Sequence, residues 1–230
     1  MEAVILAGGF GTRLRTVVPD VPKPMAPVAD KPFLEILLNS LKQKGFNRVV
    51  LSLGYMADTI VSYFGNQHNG IEIIYEVEKT PLGTGGALKA ALMHCQSDHV
   101  FIFNGDTFLD LETDLVEAQW QRQGKPMIVA RHVDDTDRFG RLEINNDFVT
   151  GFIEKGMKGP GLINAGCYVL PKNVIDDFPA TESFSLEQDY LLEAVTKEPF
   201  LMFETQGHFI DIGIPEDYQR AQSELAAFNP

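Results

Sequence analysis

Residues 1–24 read MEAVILAGGFGTRLRTVVPDVPKP, a short apolar run followed at once by clustered glycines. The run at residues 3–6 predicts a buried β-strand. Gly8, Gly9 and Gly11 come directly after it, and glycines at a strand end let the backbone approach a ligand closely. The stretch therefore predicts the first unit of an α/β fold, followed either by an anion-binding loop or by a plain strand-to-helix turn.

Extended and helical patterns alternate after this loop. Strand-like segments are RVVLSLG at 48–54, IEIIYEVE at 71–78 and HVFIFNGD at 99–106. Helix-like segments are PFLEILLNSLKQKG at 32–45, ADTIVSYFG at 57–65 and TGGALKAALMHC at 84–95. We predict a Rossmann-like three-layer α/β/α fold with a mixed, mostly parallel sheet, whose ligands bind beyond the carboxyl ends of the strands.

The pattern changes after Gly124, where short strands separated by turns replace the alternation. These strands are MIVARHV, GRLEINND, FVTGFIEKG and GLINAGCYVLP, and they predict a small antiparallel extension. A helix (SLEQDYLLEAV), a strand (FIDIG) and a final helix (PEDYQRAQSELAAF) follow. We expect one domain over residues 1–230, with a nucleotide-binding half at 1–124 and a half for the second substrate at 125–230.

Composition limits the possible partners. The 230 residues are 44% hydrophobic and carry a net charge of −13. Nucleic acids and anionic membranes bind basic surfaces, so the charge argues against both as partners, although a local anion site remains open. The two cysteines form no disulfide or zinc pattern, and no apolar run approaches the roughly 20 residues of a membrane span. A soluble cytoplasmic protein is expected.

Cations are concentrated around the glycine loop of this acidic chain. Arg13, Arg15 and Lys23 lie close to it in sequence, and cations beside exposed backbone donors suit a polyphosphate. The prolines on both sides of Lys23 restrict its backbone. The loop lacks the GK[ST] ending of a P-loop, and Leu14 stands where the last glycine of GxGxxG would be.

Two acids and a second glycine cluster complete the candidate residues. Asp106 follows a predicted strand and is either a Mg²⁺ ligand or a turn residue. Asp211, in an apolar strand, is either a second metal ligand or a cap for the next helix. Gly83 and Gly85 could let a flat base lie against the backbone, whereas Thr84 could simply cap the following helix.

Eight stretches occur together and in a fixed order: LAGGFGTRL, PKPMAPV, PLGTGGA, NGD, FIEKG, INAGCYVL, SLEQD and FIDIGIPEDY. Through them the chain resembles the sugar-1-phosphate nucleotidyltransferases over essentially its whole length. The resemblance implies Mg²⁺-assisted, in-line attack of a sugar 1-phosphate on the α-phosphate of a nucleoside triphosphate. Such chemistry depends on positioning and charge, so it needs no serine, cysteine or histidine nucleophile.

The resemblance also implies a role for each candidate residue. Arg13 would contact the leaving pyrophosphate and Lys23 the α-phosphate, while Asp106 and Asp211 would hold Mg²⁺. The implied nucleotide site comprises Leu6, Ala7, Gly8, Gly9, Gly11, Thr12, Arg13, Lys23, Pro81, Gly83, Thr84, Gly85 and Asp106. The implied sugar-phosphate site comprises Gly140, Glu154, Lys155, Asn164, Gly166, Glu187 and Asp189.

Within the family, the chain is most similar to members that transfer GMP from GTP to D-glycero-α-D-manno-heptose 1-phosphate for surface polysaccharides. Transfer of UMP to N-acetylmuramic acid 1-phosphate and of GMP to mannose 1-phosphate are the alternatives. A non-catalytic subunit that binds nucleotide sugars is an alternative of another class. A Rossmann dehydrogenase is disfavoured, because RVVLSLGY ends without the acid expected about 20 residues beyond the glycines. A monomer or a homodimer is expected.

Overall fold

The computed structural model describes residues 1–153, 156–178 and 183–228. Within them the strands are β1 Glu2–Leu6, β2 Pro27–Val28, β3 Lys31–Pro32, β4 Arg48–Leu53, β5 Gln67–His68, β6 Ile71–Val77, β7 His99–Asn104, β8 Thr107–Leu109, β9 Met127–Val133, β10 Arg141–Asn145, β11 Phe148–Ile153, β12 Gly161–Pro171, β13 Phe200–Thr205 and β14 Phe209–Asp211. The α-helices are α1 Phe33–Gln43, α2 Ala57–Phe64, α3 Gly83–Leu92, α4 Thr113–Gln123, α5 Leu192–Lys197 and α6 Pro215–Glu224. A π-helical segment, Leu186–Leu191, leads into α5.

One ten-stranded sheet of the described residues has the order β10-β11-β13-β9-β12-β7-β1-β4-β6-β5. Its parallel part, β7-β1-β4-β6, consists of the four strands that the sequence predicted to alternate with helices. Strand β12 lies antiparallel between β7 and β9, and it joins the later strands to the same sheet. The predicted mixed α/β fold is confirmed, although its antiparallel part is larger than the small extension expected from sequence.

The two faces of the sheet carry separate apolar cores. Side chains alternate between faces along a strand, so Ala3 and Ile5 of β1 pack in one core and Val4 in the other. The first core contains buried residues of α1, α2, α4 and α6. The second contains those of α3, the π-helical segment and α5. Helices therefore cover both faces, as the three-layer prediction required.

Several elements differ from the sequence prediction. Helix α4 was not predicted because its apolar stripe is narrow: within it only Thr113, Val116 and Trp120 are buried. Strand β13 was also not predicted, and it pairs in parallel with β9. The helix predicted from SLEQDYLLEAV begins as a π-helix before it becomes α5. In the described parts of the chain, no helix has the length and apolar character needed to span a bilayer.

Candidate active site

The glycine loop after β1 packs closely against neighbouring side chains at two positions. A Cβ on Gly8 would lie 2.6 Å from Oε1 of Glu78. Gly11 has φ of +60°, and a Cβ there would lie 2.9 Å from Cβ of Lys23. At Gly9, in contrast, an added Cβ would meet no protein atom within 4 Å. The loop is thus fixed by contacts at Gly8 and Gly11, while Gly9 offers its backbone to whatever enters the cavity.

Lys23 lies between two carboxylates that come from distant parts of the chain. Its Nζ donates to Oδ2 of Asp106 at 2.6 Å and lies 3.9 Å from Oδ1 of Asp211. Asp106 follows β7, and β14 pairs with β8 so that Asp211 stands opposite Thr107. The Lys23 side chain is only 10% exposed, so these interactions are partly shielded from water. The two predicted metal ligands and the predicted catalytic lysine therefore form one cluster.

The pKa of Asp211 is shifted by its neighbours in this cluster. Burial raises its pKa above the ordinary value, and the negative charge of Asp106 raises it further, while Lys23 opposes the shift. Among the described residues no group of three or more His, Cys, Asp or Glu side chains could hold a metal alone. Two carboxylates nevertheless fit Mg²⁺, because this cation takes few protein oxygens and completes its shell with phosphates and water.

The second glycine cluster packs against a segment about a hundred residues later. Gly83 has φ of +68°, and a Cβ there would overlap the backbone of Phe184. A Cβ on Gly85 would overlap the Phe184 ring, and its N–H donates to the Phe184 carbonyl at 2.9 Å. Thr84 Oγ1 accepts from Leu186 N at 2.9 Å. Gly85 therefore serves packing and does not line the cavity, whereas Gly83 and Thr84 do line it.

Glu78 lines the cavity and was not among the sequence candidates. Its Oε2 accepts from Leu82 N at 2.8 Å, which leaves Oε1 beside the loop at Gly8. Burial raises its pKa, and the charge of Glu76 adds to the shift, against the effect of the Leu82 N–H. The available signal was its place directly after β6, at the same sheet edge as Asp106.

A hydrogen-bonded group from β12 and the π-helical segment contributes another part of the wall. Nδ2 of Asn164 lies 2.7 Å from the Tyr168 hydroxyl and 3.1 Å from Oε1 of Glu187. Tyr168 donates to the same Glu187 oxygen at 2.8 Å. Gly166 has φ of +68°, and a Cβ there would lie 2.6 Å from Nδ2 of Asn104. Asn164, Gly166 and Glu187 are therefore brought together, but of these three only Glu187 lines the cavity, and their shared role in binding a sugar phosphate stays a prediction.

The remaining sugar-phosphate candidates lie elsewhere. Asp189 accepts from Ser185 N at 2.6 Å, while Ser185 Oγ accepts from the backbone three residues on, so the pair caps the π-helical segment. Gly140 lies near β11, where a Cβ would be 3.3 Å from the Ile153 carbonyl, and it does not line the cavity beside the glycine loop. The predicted residues Glu154 and Lys155 lie outside the described residues.

These groups enclose a cavity of about 490 Å³, which we call the glycine-loop cavity. Among its described walls are thirteen of the predicted site residues: Leu6, Ala7, Gly8, Gly9, Gly11, Thr12, Arg13, Lys23, Pro81, Gly83, Thr84, Asp106 and Glu187. Phe10, Glu78, Asn104, Tyr168, Leu186 and Gly213 are further wall residues. Backbone donors, cations and the carboxylate of Asp106 thus face one space of the size that small-molecule ligands occupy, whereas Asp211, 3.9 Å from Lys23, does not line it.

A glycine loop at a strand end, a shielded lysine and two converging aspartates make a site in an α/β protein that suits a phosphorylated ligand. Residues 2–227 match the family described as Nucleotidyl transferase, and the chain belongs to that family.

Two curated relatives cover nearly the whole chain. The D-glycero-α-D-manno-heptose 1-phosphate guanylyltransferase of Aneurinibacillus thermoaerophilus is 41% identical over 98% of this chain and 98% of its own length. The protein of the same name from Campylobacter jejuni is 41% identical over 95% and 97%. Among solved structures, HddC from Yersinia pseudotuberculosis in complex with GMP-PN is 40% identical, with a TM-score of 0.87 over 97% of this chain and 99% of that one.

Proposed function

We propose that the protein transfers GMP from GTP to D-glycero-α-D-manno-heptose 1-phosphate, giving GDP-heptose and pyrophosphate. The observation that carries the proposal is the Lys23 ammonium, held between Asp106 and Asp211 at the edge of the glycine-loop cavity. This arrangement places a cation and a candidate metal site beside backbone donors. The heptose and the guanine are inferred from the two curated relatives, which align with nearly the whole chain.

The reaction needs positioning and charge stabilisation more than an activated nucleophile. An oxygen of the sugar 1-phosphate attacks the α-phosphorus and forms the new P–O bond, while the bond to the bridging oxygen breaks and pyrophosphate leaves with the electron pair. Gly9, where an added Cβ would meet no protein atom within 4 Å, leaves the backbone open to the phosphates. Lys23 would offset charge growing on the α-phosphate, and Arg13 would offset charge on the pyrophosphate.

Mg²⁺ is the cofactor that the carboxylate pair fits best, and Asp106 with Asp211 would hold it. When bound, it would neutralise charge on the phosphate oxygens. In the metal-free protein, burial raises the pKa of Asp211 and the charge of Asp106 raises it further. A divalent cation between the carboxylates would relieve their mutual repulsion.

Glu78 supports guanine as the base. The Watson–Crick edge of guanine presents two adjacent donors, N1–H and the 2-amino group, and a carboxylate can accept from both. Uracil presents a single N–H between two carbonyls, which a carboxylate would repel. Glu78 lines the cavity near Pro81 and Gly83, with one oxygen beside Gly8. We therefore assign the base to this end of the glycine-loop cavity.

A substrate matrix tests the proposal. GTP, UTP, CTP, ATP and dTTP are each combined with the 1-phosphates of heptose, mannose, glucose and N-acetylmuramic acid, with and without Mg²⁺, and pyrophosphate release is measured. Mg²⁺-dependent release with GTP and heptose 1-phosphate as the preferred pair is expected. Preference for UTP with N-acetylmuramic acid 1-phosphate would overturn the specificity. Tight nucleotide-sugar binding without any turnover would instead indicate a regulatory subunit.

A further inference from the structure

A second cavity adjoins the candidate metal site. It has a volume of about 790 Å³ and is lined by Asp211 together with residues of the 131–139 segment, β13, β14 and α6. Asp211 is 3.9 Å from Lys23, which lines the glycine-loop cavity. The two cavities therefore adjoin at Lys23 and Asp211, the groups proposed to face the α-phosphate and to hold the metal.

The wall of the second cavity combines aromatic rings with charged planar groups. Phe139 and Phe209 lie with ring centroids 5.9 Å apart in an edge-to-face arrangement. Arg138 lies next along the wall, with its guanidinium carbon 5.4 Å from the centroid of the Phe139 ring. Apolar rings beside a few placed polar groups are typical of small-molecule sites, and they suit the mixed CH and OH surface of a sugar.

Arg138 is fixed by a buried carboxylate. Asp217, in the first turn of α6, has a side chain only 7% exposed and forms an ion pair with Arg138. Its other oxygen accepts from Arg220 Nη1 at 2.9 Å. A guanidinium carries five N–H donors, and in the described residues Asp217 is the hydrogen-bond partner of Arg138. Arg138 thus keeps donors for a ligand while its position is set by Asp217.

The charge of the second cavity indicates the kind of ligand group it would accept. Its described lining residues include six carboxylates and three arginines. An excess of carboxylates repels a second phosphate, whereas neutral hydroxyls can both donate to carboxylates and accept from arginines. The cavity therefore suits the hydroxyl-bearing end of an acceptor whose only phosphate lies at the Lys23 cluster.

We propose that the second cavity binds the exocyclic hydroxyls of the acceptor sugar, and that Arg138, positioned by Asp217, distinguishes a heptose from a hexose. This inference rests on the proposed function. A hexopyranose ends in one CH₂OH group, whereas a heptopyranose carries an additional CHOH before it. The additional hydroxyl would extend farther from the phosphate, and Arg138 of the cavity wall would donate to it.

Selectivity in kcat/KM tests the inference. Arg138→Ala is compared with the unmodified protein for heptose 1-phosphate and mannose 1-phosphate at saturating GTP. We expect kcat/KM to fall at least about tenfold for heptose 1-phosphate and no more than about threefold for mannose 1-phosphate. Asp217→Asn should shift selectivity the same way by releasing Arg138. Arg122→Ala, which removes an exposed arginine of α4, is the matched control and should change neither value.

Equal losses of kcat/KM for both sugars in Arg138→Ala would show that Arg138 only stabilises the 131–139 segment, and they would overturn the inference. Mannose 1,6-bisphosphate should bind more weakly than mannose 1-phosphate, and stronger binding would also contradict it. If the unmodified protein makes neither GDP-sugar, the proposed function fails. Calorimetry with the two sugar 1-phosphates then decides the inference separately: tighter heptose 1-phosphate binding that is lost in Arg138→Ala supports it, and equal or absent binding refutes it.

Discussion

Lys23 and Asp106 are 83 residues apart in sequence, yet their charged groups lie 2.6 Å apart in the fold. The lysine extends from the segment after the glycine loop, and the aspartate follows β7. The lysine side chain is largely buried while that of Asp106 is 39% exposed, so water screens the pair only in part. A change to either residue should therefore affect the transition state more than it affects the fold of the surrounding loop.

Replacing Lys23 with alanine should lower kcat by about 100-fold or more, because a charge contact that strengthens in the transition state is lost. GTP affinity should change much less. Stopped-flow turnover and calorimetric GTP binding measure the two effects separately. Lys197→Ala is the control, since that exposed lysine pairs only with Glu193 among the described residues. Weakened GTP binding with an unchanged kcat would refute the role assigned to Lys23.

Two glycine-to-alanine changes should have opposite consequences. An added Cβ at Gly9 meets no protein atom, so Gly9→Ala should keep the free energy of unfolding within about 0.5 kcal/mol. It should nevertheless raise KM for GTP, because the methyl group occupies the space left for phosphates. Gly85→Ala would overlap the Phe184 ring and should cost about 1–3 kcal/mol. Thermal unfolding with GTP kinetics distinguishes them, and unchanged GTP kinetics in Gly9→Ala would contradict the loop's role.

GTP affinity should depend on pH through Glu78. Burial raises the pKa of this carboxyl above its ordinary value of 4.5, and only the ionised form accepts both guanine donors. Affinity should therefore fall on acidification at a higher pH than an ordinary glutamate would cause. Glu78→Gln should bind GTP weakly and lose this pH dependence, since a glutamine has no proton to exchange. Identical pH profiles for the two proteins would remove Glu78 from the base site.

The Glu78 carboxyl should also make the stability of the protein depend on pH. Since the pKa of Glu78 is higher in the fold than in the unfolded chain, the native state binds more protons between pH 4.5 and the raised pKa. The contribution of Glu78 to the free energy of unfolding is therefore greatest below pH 4.5, and it declines as the pH rises from there through the raised pKa. Glu78→Gln should unfold at a higher temperature than the unmodified protein at neutral pH, and the difference should shrink toward pH 4.5. A lower melting temperature at neutral pH would contradict the argument.

Asp189 should prove to be a capping residue. Its carboxylate accepts from Ser185 N, so Asp189→Ala should cost about 1 kcal/mol, or roughly 2–4 °C in melting temperature for a chain of this size. KM for the sugar 1-phosphate should change little compared with Asn164→Ala, which removes an amide from the Tyr168–Glu187 group. A large KM increase in Asp189→Ala would restore the sugar contact predicted from sequence.

Sequence patterns predicted the elements whose signal is local. Strand β1 and the helices α1 and α3 follow from apolar spacing and from flanking glycines, and Asp106 follows from its place at a strand end. Helix α4 was missed because few of its residues are buried. The antiparallel insertion of β12 was underestimated, because pairing partners are distant in sequence and leave no local pattern.

The candidate site was predictable where a residue type and its position both point to chemistry. Lys23, Asp106 and Asp211 were such cases, and the fold brings them together. Glu78 was missed because the predicted strand at 71–78 included it, whereas the strand ends at Val77 and leaves Glu78 at the sheet edge beside Gly8. Gly85 was assigned to the nucleotide because the sequence cannot reveal the Phe184 ring against it.

The contact between the Gly83–Gly85 turn and Phe184 means that the N-terminal half of the chain cannot form the nucleotide site by itself. Residues 1–124 contain the glycine loop, Lys23 and Asp106, yet Leu186 and Glu187 also line the glycine-loop cavity. A fragment ending at Gly124 would also leave the β7 edge without β12. Such a fragment would lack one wall of the nucleotide site. During refolding, nucleotide affinity should therefore recover only when residues on both sides of Gly124 have folded.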